Sequence, residues 1–305
     1  MRTTVSSIEK TFFAMGTANS VTVYEDVPDA LAECCDRMLR LHDQMSVFDP
    51  LSEVSRINSA AGAGTVCVSY DVFGLIKRCV GYSEKTEGKF DITAGPSALL
   101  WKSVIKNGSL PSPIDIRNAA ALIGYHDIII DKKSRNIGLK RKGQTVDLGG
   151  IAKGCAADEA KRILSKHGVE NALVNYGGTV IVMGDVQKVG IRYPFSKDRV
   201  FASIEVADRA VVTSGYYEQF IKIGGRIVHH IIDPTTGESS EPVFAGITLI
   251  GESAEELDAY STALFTMTAE EAFKFVNANG IDAVFVTADK NIIITDGIKD
   301  GFSLL

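Results

Sequence analysis

The stretch VDLGGIAKG, residues 146–154, sets one acid, three glycines and one lysine where an apolar strand is expected to run into a helix. Asp147 ends the strand, Gly149 and Gly150 let the backbone approach a ligand or take a positive φ, and the helix opens with free N–H groups. That arrangement suits an anion. Lys153 falls in the first helical turn, where a cation opposes the helix dipole unless a phosphate or carboxylate lies beside it. A tight strand-to-helix turn with a solvated lysine has the same spacing, so the residues alone leave both readings open.

A second candidate is ELDAYSTALF, the opening of an apolar helix. Asp258 stands three residues before Ser261 and four before Thr262, which puts all three oxygens on one face. Hard oxygens on a rigid element suit Mg2+, which takes one or two carboxylates and leaves positions for water or substrate phosphate. The plain alternative is an acid that helps the helix dipole, with hydroxyls bonded back to the preceding turn. In VHHIIDPTTG, His229 and His230 point to opposite sides of a strand, so at most one serves a site, as a base or a phosphate contact. A strand-end histidine capping the Asp233 turn is the competing reading. NYGGT at 175–179 and TSGYY at 213–217 read as turns, and Cys155 and Trp101 as core residues.

Elements able to carry these residues follow from periodicity. TFFAMGTANSVTVY alternates as one half-solvated strand, residues 28–45 form an amphipathic helix behind a proline, and 46–58 read as a loop with a capped turn. A helix over 71–87 ends at Gly88 and leads into FDITAGPSALLW. The chain loosens between 102 and 125, with NGSLPSP as a linker, before a short helix and a hairpin that closes at the glycine-rich stretch. A helix over 151–168, the apolar strand NALVNYGGTVIVMG, strands near 189–193 and 201–206, and the strand AGITLIG come next. Helices from Ala254 and over 269–278 precede a terminal hairpin ending at 295. Strands and helices mix without βαβ alternation, which predicts an α+β fold over a Rossmann layout.

The chain has 305 residues, of which 45% are apolar and 23% charged, enough for a large core in one domain spanning 1–305. A net charge of −6 offers no basic field for a nucleic acid. Five cysteines without a CxxC spacing suggest neither a disulfide framework nor a zinc site. No run reaches membrane-spanning length, and the first residues carry charge where a signal peptide needs an apolar core, so a cytoplasmic protein is expected.

Taken together, FFAMGT, FDITAGPSALLW, VDLGGIAKGCAAD, NALVNYGG, TSGYYEQF, HHIIDPTTG and DAYSTALF closely resemble the ApbE family of FAD:protein FMN transferases, from about residue 12 to 297. The resemblance implies a single compact two-lobed unit of mixed sheets and helices, related to the T-fold. It implies an enzyme that uses Mg2+, or Mn2+, and FAD as substrate to attach FMN through a phosphoester to a Thr or Ser of an acceptor flavoprotein, releasing AMP. Acceptors in the family are subunits of membrane redox complexes and soluble reductases. By the same resemblance Met15, Asp91, Thr93, Asp147, Lys153, Gly177, Gly178 and Ile232 fall to the flavin nucleotide. Gly150 through its carbonyl, Asp258, Ser261 and Thr262 fall to the metal, and glycines 149 and 150 clear room for FAD. His230 is the candidate base, with Asp147 or Asp233 as alternatives. FAD hydrolysis to FMN and AMP, and FAD binding without turnover, are the rival activities. The chain departs from the family in following Trp101 with KSVIKNGS rather than a glycine-rich run, and the charged first residues lead to the expectation of a form without a lipoprotein leader.

Overall fold

The structure is a computed structural model that describes residues 7–196, 199–241 and 243–305, with only the backbone of Glu218. Residues 1–6, which open the segment read as lacking a signal peptide, lie outside the described residues.

In chain order the first elements are β1 (Ile8–Ala14), β2 (Thr17–Val23), α1 (Pro28–Met45), α2 (Glu53–Ser59), β3 (Thr65–Cys67), α3 (Tyr70–Lys85), α4 (Gly95–Asn107) and α5 (Pro113–Ala120). The middle of the chain supplies β4 (Ile128–Asp131), β5 (Asn136–Leu139), α6 (Ala152–Lys166), β6 (Ala172–Tyr176), β7 (Thr179–Met183), β8 (Gln187–Arg192) and β9 (Val200–Val206). Then come β10 (Ala210–Gly215), β11 (Phe220–Ile223), β12 (Arg226–His229), β13 (Phe244–Gly251), α7 (Ala254–Leu264) and α8 (Ala269–Ala278). β14 (Asp282–Thr287), β15 (Ile292–Ile294) and β16 (Phe302–Leu304) finish it.

Eight strands form one sheet in the order β1-β2-β6-β7-β10-β13-β14-β15, and every neighbouring pair is antiparallel. The α+β expectation therefore holds, and a Rossmann layout is excluded, since that needs parallel strands. Alternate residues of the central strands go to different cores. Ile181, Val212, Leu249 and Phe285 join the cluster under α1, α6 and α7, whereas Val182, Val211, Ile250 and Val284 pack against the small sheet β16-β9-β8. A third cluster gathers Trp101 and Val104 of α4 with Val228 and Ile232 around the hairpin β11-β12. α1 fits the first core because Leu31, Cys34, Met38, Leu41 and Met45 recur at helical spacing. All five cysteines are free, and Cys67 is the exposed one.

Several sequence expectations change. TFFAMGTANSVTVY is a hairpin, β1-β2, whose two turn residues Met15 (φ 50°) and Gly16 (φ 75°) both lie in the left-handed region. A two-residue turn of that kind matches the twist of paired strands, and methionine is not a residue that announces it. NALVNYGGTVIVMG likewise folds back as β6-β7 at Gly177 (φ 60°) and Gly178 (φ 91°). Residues 46–58 contain the helix α2, capped by Ser52, whose hydroxyl accepts the Ser55 N–H. The loosened stretch 102–125 holds the end of α4 and all of α5, the latter with a complete capping box at Ser112 and Asp115. The chain does not end in the β14-β15 hairpin, since β16 returns to pair with β9.

Candidate functional site

Residues 146–148 are not a strand, contrary to the reading of the glycine-rich stretch. A single parallel bridge joins Ala94 to Thr145, and the Asp147 N–H donates to the Ile92 carbonyl at 2.8 Å. On the other side Asn58 of α2 brackets Val146, accepting its N–H at 2.7 Å and donating to its carbonyl at 3.0 Å. An asparagine side chain thus supplies the pairing a second strand would give. α4 and α6 both start from this bridged pair of segments, and neither has a side-chain N-cap. Helix starts of this kind present N–H groups and the positive end of the dipole to an anion.

The glycines have separate reasons. Neither Gly149 nor Gly150 has a positive φ. A Cβ on Gly150 would come 3.0 Å from Thr262 Oγ1, and one on Gly154 would fall on the Ala254 carbonyl oxygen. At Gly150 and Gly154 the close neighbour is α7 itself rather than open space for a ligand, a correction to the expectation that Gly150 clears room for FAD. Gly149 and Gly150 nonetheless both line the cleft.

α7 meets the start of α6 through Asp258. Its carboxylate is 3% exposed and accepts the Gly154 N–H at 3.0 Å, with Lys153 Nζ 3.8 Å away. Thr262 Oγ1 stands 3.4 Å from the Gly150 carbonyl and 3.2 Å from that of Asp258. Ser261 is fully buried, donates to the same Asp258 carbonyl at 2.9 Å and lies 2.8 Å from Oγ of Ser214, a cleft-lining residue of β10, without itself lining the cleft. Among the described residues no three His, Cys, Asp or Glu side chains form a metal cluster. A cation at Asp258 would have one carboxylate, the Gly150 carbonyl and the Thr262 hydroxyl, a hard-oxygen set that leaves room for phosphate oxygens and fits Mg2+.

The facing wall comes from β10 and from the segment after β12. Thr213, Ser214, Gly215, His230, Ile231, Ile232 and Pro234 line it, and Gly177 closes one end. The two histidines divide as strand geometry requires. His230 borders the cleft with Nδ1 3.4 Å from the Gln219 carbonyl, whereas His229 is fully buried and stacked on Tyr216. Asp233 turns on itself, accepting the Thr235 N–H at 2.9 Å, and does not border the cleft. Asp147 does; its Oδ1 accepts the Gly149 N–H at 2.8 Å, and Lys102 Nζ approaches Oδ2 at 3.5 Å.

FDITAG forms the remaining side. Asp91 accepts the Thr93 N–H and hydroxyl, both at 2.7 Å, and the Tyr125 N–H at 2.9 Å. Burial pushes its carboxyl above the usual range, and these hydrogen bonds oppose that. The Thr93 hydroxyl also accepts the Gly124 N–H, so Thr93 is fully buried behind the cleft wall while Asp91 borders it. Gly178 and Met15 stand in the two adjacent hairpin turns, outside the lining. Ser214, Thr213, Lys89 and the Gly95 start of α4 belong to the site and were missed. The Gly-Pro opening of α4 and the TSGYYEQF motif carried the signals for them.

The cleft has a cavity volume of about 190 Å³ and is partly open to solvent. An antiparallel sheet, two helix starts without an N-cap side chain of their own, and an acid, a hydroxyl and a carbonyl gathered at one cleft define a class. The chain belongs to the ApbE family, whose pattern matches residues 15–285. A relative from Klebsiella pneumoniae (strain 342), an FAD:protein FMN transferase, is 33% identical over 87% of this chain and 84% of its own. Another of that name, from Treponema pallidum (strain Nichols), is 28% identical over 100% of this chain and 91% of its own. Among solved structures, the ApbE protein of Thermotoga maritima superposes with a TM-score of 0.87 at 31% identity, covering 96% of this chain and 98% of that one. The flavin transferase ApbE of Vibrio cholerae gives 0.85 at 26%, covering 97% and 99%. Among the described residues no helix is long and apolar enough to cross a membrane.

Proposed function

We propose that this protein is an FAD:protein FMN transferase, using Mg2+ or Mn2+ to move FMN from FAD to a Thr or Ser hydroxyl of an acceptor flavoprotein and releasing AMP. The observation that carries the reading is the convergence of Asp258, Thr262 and the Gly150 carbonyl beside Lys153, in a cleft also bordered by His230. The names of the Klebsiella and Vibrio relatives support it. The five free cysteines support a cytoplasmic location.

In this reading Lys153 and the starts of α4 and α6 hold the pyrophosphate, while Asp147, Asp91, Ile232, Gly177, Gly178 and Met15 shape the ends of the nucleotide site. A bound magnesium ion supplies charge neutralisation at the pyrophosphate. The acceptor oxygen attacks the FMN phosphorus in line, the bond to the AMP oxygen breaks, and the imidazole of His230 takes the hydroxyl proton. A base at that place contributes roughly 10²–10⁴ in rate.

The test is to incubate the protein with FAD, Mg2+ and an unmodified flavoprotein whose FMN is normally linked to threonine. Protein-bound FMN with stoichiometric AMP supports transfer. AMP with free FMN and an unmodified acceptor means hydrolysis, and intact bound FAD means binding only; either outcome overturns the proposal.

A further inference from the structure

His229 is the histidine for which the proposed reaction has no use, yet its surroundings are more elaborate than a core position needs. The residue is fully buried, with its ring stacked on Tyr216 at 5.3 Å and an interplanar angle of 13°. Nδ1 accepts the Ile231 N–H at 3.2 Å, which places the neutral ring's proton on Nε2. Its backbone is clasped as well: the N–H donates to Ser239 Oγ at 2.9 Å, and that hydroxyl donates to the His229 carbonyl at 3.0 Å. Nε2 makes no close hydrogen bond, although the Ser240 backbone faces the ring and favours its protonated form.

A buried N–H left unpaired costs about 1–3 kcal/mol, so the imidazole must offer something cheaper side chains lack. Phenylalanine would keep the stack without the unpaired N–H. Asparagine would keep the acceptor, since its side chain readily takes the N–H two residues on. Histidine alone does both. The stack holds Tyr216, directly after cleft residue Gly215, and the accepted hydrogen bond holds Ile231, directly after His230. The two segments of the facing wall are therefore tied to one ring, and His230 lies directly before one of the tie points.

We propose that His229 is a positioning residue: its ring, stacked on Tyr216 and accepting the Ile231 N–H, fixes the backbone that holds His230 at the cleft. The inference rests on the reading of His230 as the base of the transfer reaction. His229 itself does not serve as a base, since burial pushes its pKa down to about 3.

Four proteins and one spectrum test it. With FAD, Mg2+ and the unmodified flavoprotein acceptor, His229→Phe is expected to lower the single-turnover rate by about 10- to 100-fold, the scale of a small misplacement. FAD affinity should stay within about twofold, and His229→Asn should recover most of the rate, because it restores the acceptor. The double variant His229→Phe/His230→Ala should be no slower than His230→Ala alone, since a residue that acts through another adds nothing once that other is gone. Full activity in His229→Phe, or losses that multiply in the double variant, would overturn the positioning role while leaving the base intact. A His230→Ala variant with the parental rate would remove the base assignment, and this inference with it. Imidazole 15N NMR of the unaltered protein supplies a readout independent of turnover. Of five histidines, one should keep the Nε2–H tautomer without titrating between about pH 5 and 8; a His229 signal with its proton on Nδ1 would also overturn the proposal.

Discussion

Asp158 and Asp258 cap each other's helices. Asp158, on α6, accepts the N–H groups of Ala254 at 2.9 Å and Glu255 at 3.0 Å and the Ser253 hydroxyl at 2.7 Å, all at the start of α7. Asp258, on α7, accepts the Gly154 N–H in the first turn of α6 at 3.0 Å. Each carboxylate satisfies donors that its partner helix cannot satisfy within itself. The exchange requires the helices to touch, which is why residue 154 is a glycine against the Ala254 carbonyl. The aim of Asp258 into the cleft is thus a property of the helix pair.

Removing the reciprocal cap tests that dependence. Asp158→Ala leaves two α7 N–H groups without their acceptor and is expected to cost about 2 kcal/mol of stability, read as a lower denaturation midpoint in urea. Turnover of FAD should fall several-fold at a temperature where the variant is still folded, because Asp258 moves with its helix. An unchanged midpoint would show that the Ser253 cap is sufficient alone.

A contrast of three substitutions on α7 separates a metal ligand from its supports. Asp258→Asn keeps an acceptor for Gly154 but not the charge, so stability should change by less than about 1 kcal/mol, while turnover falls at least about 100-fold and FAD still binds. Thr262→Ala should weaken the magnesium dependence of turnover about tenfold. Ser261→Ala, which loses a contact to the cleft-wall residue Ser214 but does not itself line the cleft, should keep activity within about threefold. Titration of magnesium against initial rate gives all three, and a Ser261→Ala variant as impaired as Thr262→Ala would put Ser261 back among the ligands.

His229 and Glu159 each give the pH dependence of stability a window, and the two have the same sign. His229 is pushed from 6.5 down to about 3, chiefly by burial and then by the charge of His230. The unfolded chain takes up that proton below 6.5 and the folded protein does not. Stability is therefore complete above 6.5 and is lost on acidification toward 3, by at most about 1.4 kcal/mol per pH unit. Glu159 is held at about 2 instead of 4.5 by its hydrogen bonds to Arg162 and then Arg37, so its share is lost between 4.5 and 2. Urea midpoints measured from pH 7 to 3.5 should decline throughout and more steeply below 4.5. In His229→Phe the decline above 4.5 should flatten, and an unaltered upper slope would contradict a neutral, buried His229.

The α+β character and most helices were legible because apolar periodicity reports which face is buried, and α1, α3 and α8 carry that pattern plainly. The turn in NYGGT was legible from its glycines, but the β1-β2 hairpin was not: its strands are continuous in hydropathy, and the break lies in the backbone dihedral at Met15, which composition does not print. In the site, the motifs named the right segments but not the depth of each side chain. Asp258 and Thr262 reach the cleft from one turn of α7, and Ser261 in the same turn faces β10. A spacing of three or four residues spans a helical face wide enough to hold both directions, and only the packing of β10 against α7 selects between them. Asn58 was invisible as a partner of Val146 for a related reason, since nothing local links residues so far apart in the chain.

The cysteines lend the molecule a practical handle. Burial raises the thiols of Cys34, to about 12, and of Cys35, Cys79 and Cys155, while Cys67 on β3 faces solvent. A maleimide dye should therefore attach at one place on the unmutated chain, without any engineered label.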